Sequence, residues 1–191
     1  DWEYMHEKGR TMISDEPLYT EADAITASGL FVGVNYETAK EIAPGITLTL
    51  HNAGHIIGSS LVELTIVENG KTTKLGFTGD LGRKGMPIIQ DPHQWQELDY
   101  LITESTYGGR LHDDYKKVED NLLPIIHEAI AKQSKIIIPA FAVERTQEII
   151  YHLNLLQKRG LIPCLPIYVD SPLAVNATDI FRRHPECFDQ E

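Results

Sequence analysis

Three consecutive runs, GITLTLH (45–51), SLVELTIVENG (60–70) and GKTTKLGFTGD (70–80), alternate apolar and polar side chains residue by residue. That period turns one face of each run toward a core and the other toward water, as in half-buried strands. The ENGK turn between the second and third runs predicts a hairpin. After DYLITEST (99–106), read as a buried strand ending in polar residues, the pattern changes. A helix is predicted over roughly 113–132, with Val118, Leu122, Ile126 and Ile130 spaced by four on one face. Pro124 lies inside it, so that helix is kinked or starts later. The run KIIIPAF (135–141) reads as a short apolar strand, and ERTQEIIYHLNLLQKRG (144–160) as a helix closed by Lys158, Arg159 and Gly160. PIYVDSPLA (166–174) reads as a strand and turn, followed by a helix to about residue 184. Upstream, Thr20 and Asp23 have capping-box spacing, with Gly29 as the stop of a short helix.

A hairpin-rich first half followed by alternating helix and strand predicts an α/β chain with two architectures, divided near 104–112. The apolar share of 42% over 191 residues suits a buried core. No apolar run reaches the roughly 18–20 residues of a membrane span, and the polar start DWEYMHEKGR lacks a signal-peptide core. Cys164 and Cys187 belong to no CxxC or Cys/His cluster, which argues against a disulfide framework or a thiolate zinc site and for a cytoplasmic location. A net charge of −11 argues against a broad electrostatic grip on nucleic acid. It leaves open a phosphodiester substrate whose charge is met locally by cations.

Three segments carry candidate chemistry. In HNAGHIIGSS (51–60) the two histidines have HxxxH spacing, but Gly54 and Gly58 exclude the helix that would place both on one metal. His51 continues the strand pattern, which favours a structural role. His55 lies between the glycines in a loop where the backbone can approach something bulky. In FTGDLGR (77–83) Asp80 ends a strand, either stabilising its own turn or presenting a carboxylate that bridges two cations. In TESTYGGRLH (103–112) Glu104 closes an apolar run, where a carboxylate needs a histidine, hydroxyl or metal partner. Each follows a strand end, at 55, 80 and 104, and successive strand ends can converge on one edge of a sheet.

In that order and spacing GHIIGSS, FTGDLGR and ITESTYGGRLH resemble consecutive motifs of metallo-β-lactamase-fold nucleases with a β-CASP domain. PAFAVERTQE (139–148) and YVDSPLAVNAT (168–178) resemble β-CASP segments. The resemblance, from about residue 18 onward, implies part of a metallo-β-lactamase αββα sandwich over 1–106 and the start of a β-CASP domain over 107–191. It implies a zinc-dependent phosphodiester hydrolase acting on RNA, with His55 a ligand of one zinc and Asp80 bridging two. Glu104 resembles the acidic residue that supports a catalytic histidine, while Arg145 and Ser105 lie in family segments as candidate phosphate contacts. RNA, and a homodimer or processing complex, are the partners so implied. The family's HxHxDH cluster and its last zinc histidine have no match here, so the resemblance implies an internal piece of a longer protein, inactive alone. The rivals are a catalytically dead β-CASP scaffold subunit, a non-nuclease hydrolase of the same fold, and a plain α/β binding domain. Retention of His55, Asp80 and Glu104 opposes the scaffold, and the helix–strand half opposes the second rival.

Overall fold

The computed structural model describes residues 7–9, 17–112 and 114–189. The N-terminal stretch read above as free of a signal peptide falls almost wholly outside them. Residues up to Val34 and those from Asn35 onward form two compact units. In the first, helix α1 (Glu21–Ser28) starts as its sequence predicts. Thr20 accepts from the Asp23 backbone N–H, Asp23 accepts from the Thr20 N–H at 2.8 Å, and Gly29 ends the helix.

The second unit opens with strands β1 (Lys40–Ala43), β2 (Ile46–Asn52), β3 (Ser60–Glu68) and β4 (Lys71–Phe77), an antiparallel meander. A fifth strand, β5 (Tyr100–Ile102), adds parallel to β4, giving the sheet order β1-β2-β3-β4-β5. The β3–β4 hairpin closes on Asn69 and Gly70 at φ +50° and +75°, between the paired residues Glu68 and Lys71. Positive φ at both central residues is what a type I′ turn demands, and Asn-Gly meets that demand most readily. Leu61 is fully buried at the start of β3.

Beyond the sheet, a 3₁₀ turn at Tyr115–Lys117 leads into α2 (Val118–Ala131), so the helix begins later than its apolar spacing suggests. Pro124 lies inside α2 and supplies no N–H to the Asp120 carbonyl one turn back. Helices α3 (Arg145–Lys158) and α4 (Pro172–Arg183) follow. Ile126 of α2 and Leu156 of α3 form a buried cluster with Ile162, against which Leu122, Leu123, Leu153 and Leu165 pack.

Three strand expectations fail in part. β5 is only Tyr100–Ile102, and all three residues are exposed rather than buried. Residues 135–141 and 166–170 are not strands; Ile137 is 88% exposed. An apolar run specifies a demand for burial, but strand structure also needs neighbouring N–H and C=O groups. Among the described residues no segment supplies them. The α/β class stands, as five mixed strands and four α-helices among the described residues.

Candidate functional site

The ends of β2 and β4 and the segment after β5 meet at one edge of the sheet, and the N-terminal end of α3 joins them. The cleft between them has a volume of about 760 Å³. Its walls carry His55, Asp80, Glu104, Ser105 and Arg145, so every site residue expected from the sequence faces this space, along with Glu144.

His55 sits in the β2–β3 connection. Ser59 shapes this loop: its hydroxyl accepts from the N–H groups of His55 and Ile56, each at 3.2 Å. The Ser59 carbonyl accepts from Ala53 N–H at 3.1 Å and from the Tyr36 hydroxyl at 2.8 Å. Asp80 sits in the turn after β4, held against the His55 loop by Gly82. The Gly82 N–H donates to the Ala53 carbonyl at 2.9 Å. A Cβ at position 82 would stand 1.6 Å from the Gly54 carbonyl oxygen, so glycine is the only residue that permits this approach.

The result is a His55 Nε2 to Asp80 Oδ2 distance of 3.9 Å. That is too long for a hydrogen bond and within the sum of two zinc–ligand bonds, about 4 Å. Neither side chain hydrogen-bonds another described residue, and both are solvent-accessible, at 43% and 81% exposure. An imidazole and a carboxylate so placed fit two ligands of a zinc ion. Three ligand atoms do not converge here among the described residues, so further ligands are needed to complete a site.

Glu104 finds a hydroxyl and a backbone amide as partners. Its carboxylate accepts from Leu81 N–H at 2.7 Å, and the Thr106 hydroxyl, followed by this amide, holds its pKa below the ordinary glutamate value. The Glu104 N–H donates to the buried Thr78 hydroxyl at 3.3 Å, and Thr78 N–H extends the β4–β5 ladder to the Ile102 carbonyl at 3.0 Å. Glu104 therefore stays ionised and fixes the residue after Asp80. Ser105 lines the same wall, and Arg145 donates to Glu148 at 2.5 Å across one turn of α3.

His51 lies apart from the cleft, 6% exposed. Its Nδ1 is 2.8 Å from Glu37 Oε1, and its Nε2 is 3.4 Å from Glu63 Oε2. Glu37, His51 and His93 bring ligand atoms within 4.8 Å of one another, a grouping the sequence reading missed because its members lie far apart in the chain. The His51 and His93 rings, however, are stacked with centroids 4.0 Å apart and planes 15° from parallel. An imidazole binds a metal in its own ring plane, and two stacked planes share no point near their edges. The arrangement is a histidine pair fastened by carboxylates, consistent with the structural role expected for His51.

Glu144 was also missed. It lines the cleft, one carboxyl oxygen (Oε2) is buried without a hydrogen-bond partner, and burial, then the neighbouring Glu148, pushes its pKa up to about 7. The Ile57 backbone N–H, in the His55 loop, lies near enough to oppose part of that rise.

The Beta-Casp domain pattern matches residues 146–191, beginning one residue into α3. Residues 146–191 are thus similar to part of a Beta-Casp domain. Over 179 residues, 94% of this chain, it is 32% identical to Ribonuclease TTHA0252 of Thermus thermophilus. It is 39% identical over 178 residues, 90% of this chain, to Transcription termination factor FttA of Thermococcus kodakarensis. The factor of the same name in Pyrococcus horikoshii is 35% identical over 174 residues. The chain spans 40% of the Thermus protein and 26% of each of these two archaeal factors. Both kinds of relative match the sheet as well as residues 146–191, since each alignment covers at least nine-tenths of the chain.

Proposed function

We propose that this chain is part of a longer zinc-dependent ribonuclease. Residues 1–106 would belong to its metallo-β-lactamase αββα sandwich and 107–191 to the start of its β-CASP domain. The observation that carries the reading is the shared cleft, in which His55 and Asp80 approach to 3.9 Å on loops locked together by Gly82. His55 would hold one zinc and Asp80 would bridge two. Bound zinc supplies a water of pKa about 7 and positive charge for the attacked phosphate. Glu104 orients the turn that presents Asp80, through its bond to Leu81 N–H, and is available to orient a histidine from elsewhere in the protein. Ser105 lines the wall beside it, where a hydroxyl can donate to a phosphate oxygen. The Arg145 guanidinium donates through one terminal nitrogen to Glu148 and keeps its other N–H groups for a phosphate.

Two ligands do not make a dinuclear centre, so the 191-residue chain alone is expected to cleave no RNA. The full-length protein should contain about two zinc ions per chain, falling sharply in Asp80→Asn. Elemental analysis of both proteins decides the matter, and absence of zinc from the wild type favours the scaffold-subunit reading instead.

A further inference from the structure

Glu144 occupies a backbone conformation that its side chain makes costly. Its φ is +68° and ψ −61°, and the Arg145 N–H donates to the Val143 carbonyl at 2.9 Å around it. Those angles and that bond define a γ-turn of the strained kind, with the Cβ on the unfavourable side. Glycine fits such a position far better than glutamate. The carboxyl group carries a second cost, because Oε2 is buried without a partner. Buried polar atoms in native proteins are almost always satisfied, so an orphaned acceptor in a cleft wall is a place for an incoming donor. Strain and an unmet acceptor on one residue mark a functional position more readily than a structural one.

The neighbours narrow what the donor is. Arg145, the nearest cation, is engaged by Glu148. Glu144 shares no cluster of three ligand atoms with other described residues, which does not favour a metal. Above pH 7, where the Glu144 carboxyl is ionised, a phosphate offers only acceptors to an acceptor and adds like charge, and binding is therefore compared at about pH 8. What remains in a nucleic-acid strand is a hydroxyl or an amino group. On the ribonuclease reading, we propose that Glu144 is a substrate-specificity residue. Its buried carboxyl oxygen accepts a hydrogen bond from a ribose 2′-hydroxyl or a base amino group of the strand bound in the cleft.

The test uses the full-length protein without zinc, and fluorescence anisotropy with single-stranded RNA and DNA of one sequence. Glu144→Gly removes the acceptor and relieves the turn, so it should unfold at a higher temperature than wild type while binding RNA about tenfold more weakly or worse. Glu144→Gln keeps an acceptor oxygen and should stay within a few-fold of wild type. If the donor is the 2′-hydroxyl, the RNA preference over DNA collapses in the glycine variant. If it is a base amino group, both affinities fall together. Unchanged affinities in Glu144→Gly overturn the inference, as does a glycine variant less stable than wild type. A wild type that binds neither strand overturns the ribonuclease reading itself, and the higher melting temperature of the glycine variant would still report the strained turn.

Discussion

Replacing Gly82 by alanine tests the contact that brings His55 and Asp80 together. The new Cβ would stand 1.6 Å from the Gly54 carbonyl oxygen, 2.0 Å from its carbon and 2.6 Å from the His55 nitrogen. All three are backbone atoms, so no side chain can swing aside, and the two loops must part by more than an ångström. Parting them also breaks the Gly82 N–H to Ala53 carbonyl bond. Overpacking of this kind costs about 1–3 kcal/mol and the lost hydrogen bond about 1, so the expected destabilisation is about 2–4 kcal/mol. With a urea slope of about 2 kcal/mol/M, the unfolding midpoint should fall by about 1–2 M. Gly109→Ala is the control, because a Cβ there meets nothing within 4 Å, and its stability should hold to within about 0.5 kcal/mol. If Gly82→Ala unfolds at the same urea concentration as Gly109→Ala, the loops do not meet as described. The close approach of His55 and Asp80 then loses its support.

Two further outcomes follow from the packing and the electrostatics. Glu144 binds its proton more tightly folded than unfolded, with a pKa of about 7 against 4.5, so the folded state holds more protons within that window. Stability should therefore fall as the pH rises from about 4.5 to about 7 and then level off. After discounting for solvent around this partly exposed group the drop is about 1–2 kcal/mol, and chemical denaturation of Glu144→Gln across the same range should lack it. Leu156→Ala should cost about 2–5 kcal/mol, because the side chain is fully buried against Ile126 and Ile162. A calorimetric scan showing no loss would place that cluster outside the cooperative core.

The parts of this fold that were legible in the sequence are those whose partners are close in the chain. Residue-by-residue alternation marked β2, β3 and β4, and Asn69-Gly70 marked their hairpin, because a tight turn fixes register by itself. Thr20 and Asp23 marked the start of α1 for the same reason. The runs 135–141 and 166–170 misled because their apolar residues record a need for burial without naming the strand that would meet it. At the cleft, His55, Asp80 and Glu104 were found because each follows a strand, or a strand-like run, of one sheet. Glu144 was not found, because nothing in the string PAFAVERTQE announces a positive φ at a glutamate. Glu37 and His93 were passed over because only the folded chain brings them to His51.

The meander has a bearing on the order in which the cleft is assembled. β2, β3 and β4 pair with their immediate neighbours in sequence, so His55 and Asp80 are joined through short loops whose closure removes little chain entropy. Glu104 arrives differently, just after a strand that adds parallel to β4 following the long connection from Thr78 to Asp99. Contacts of low sequence separation form fast, and parallel pairings across long connections form slowly. The two loops that carry His55 and Asp80 thus come into register while the chain is still locally organised. The carboxylate that braces them, and the α3 wall opposite, close over a pair already in place.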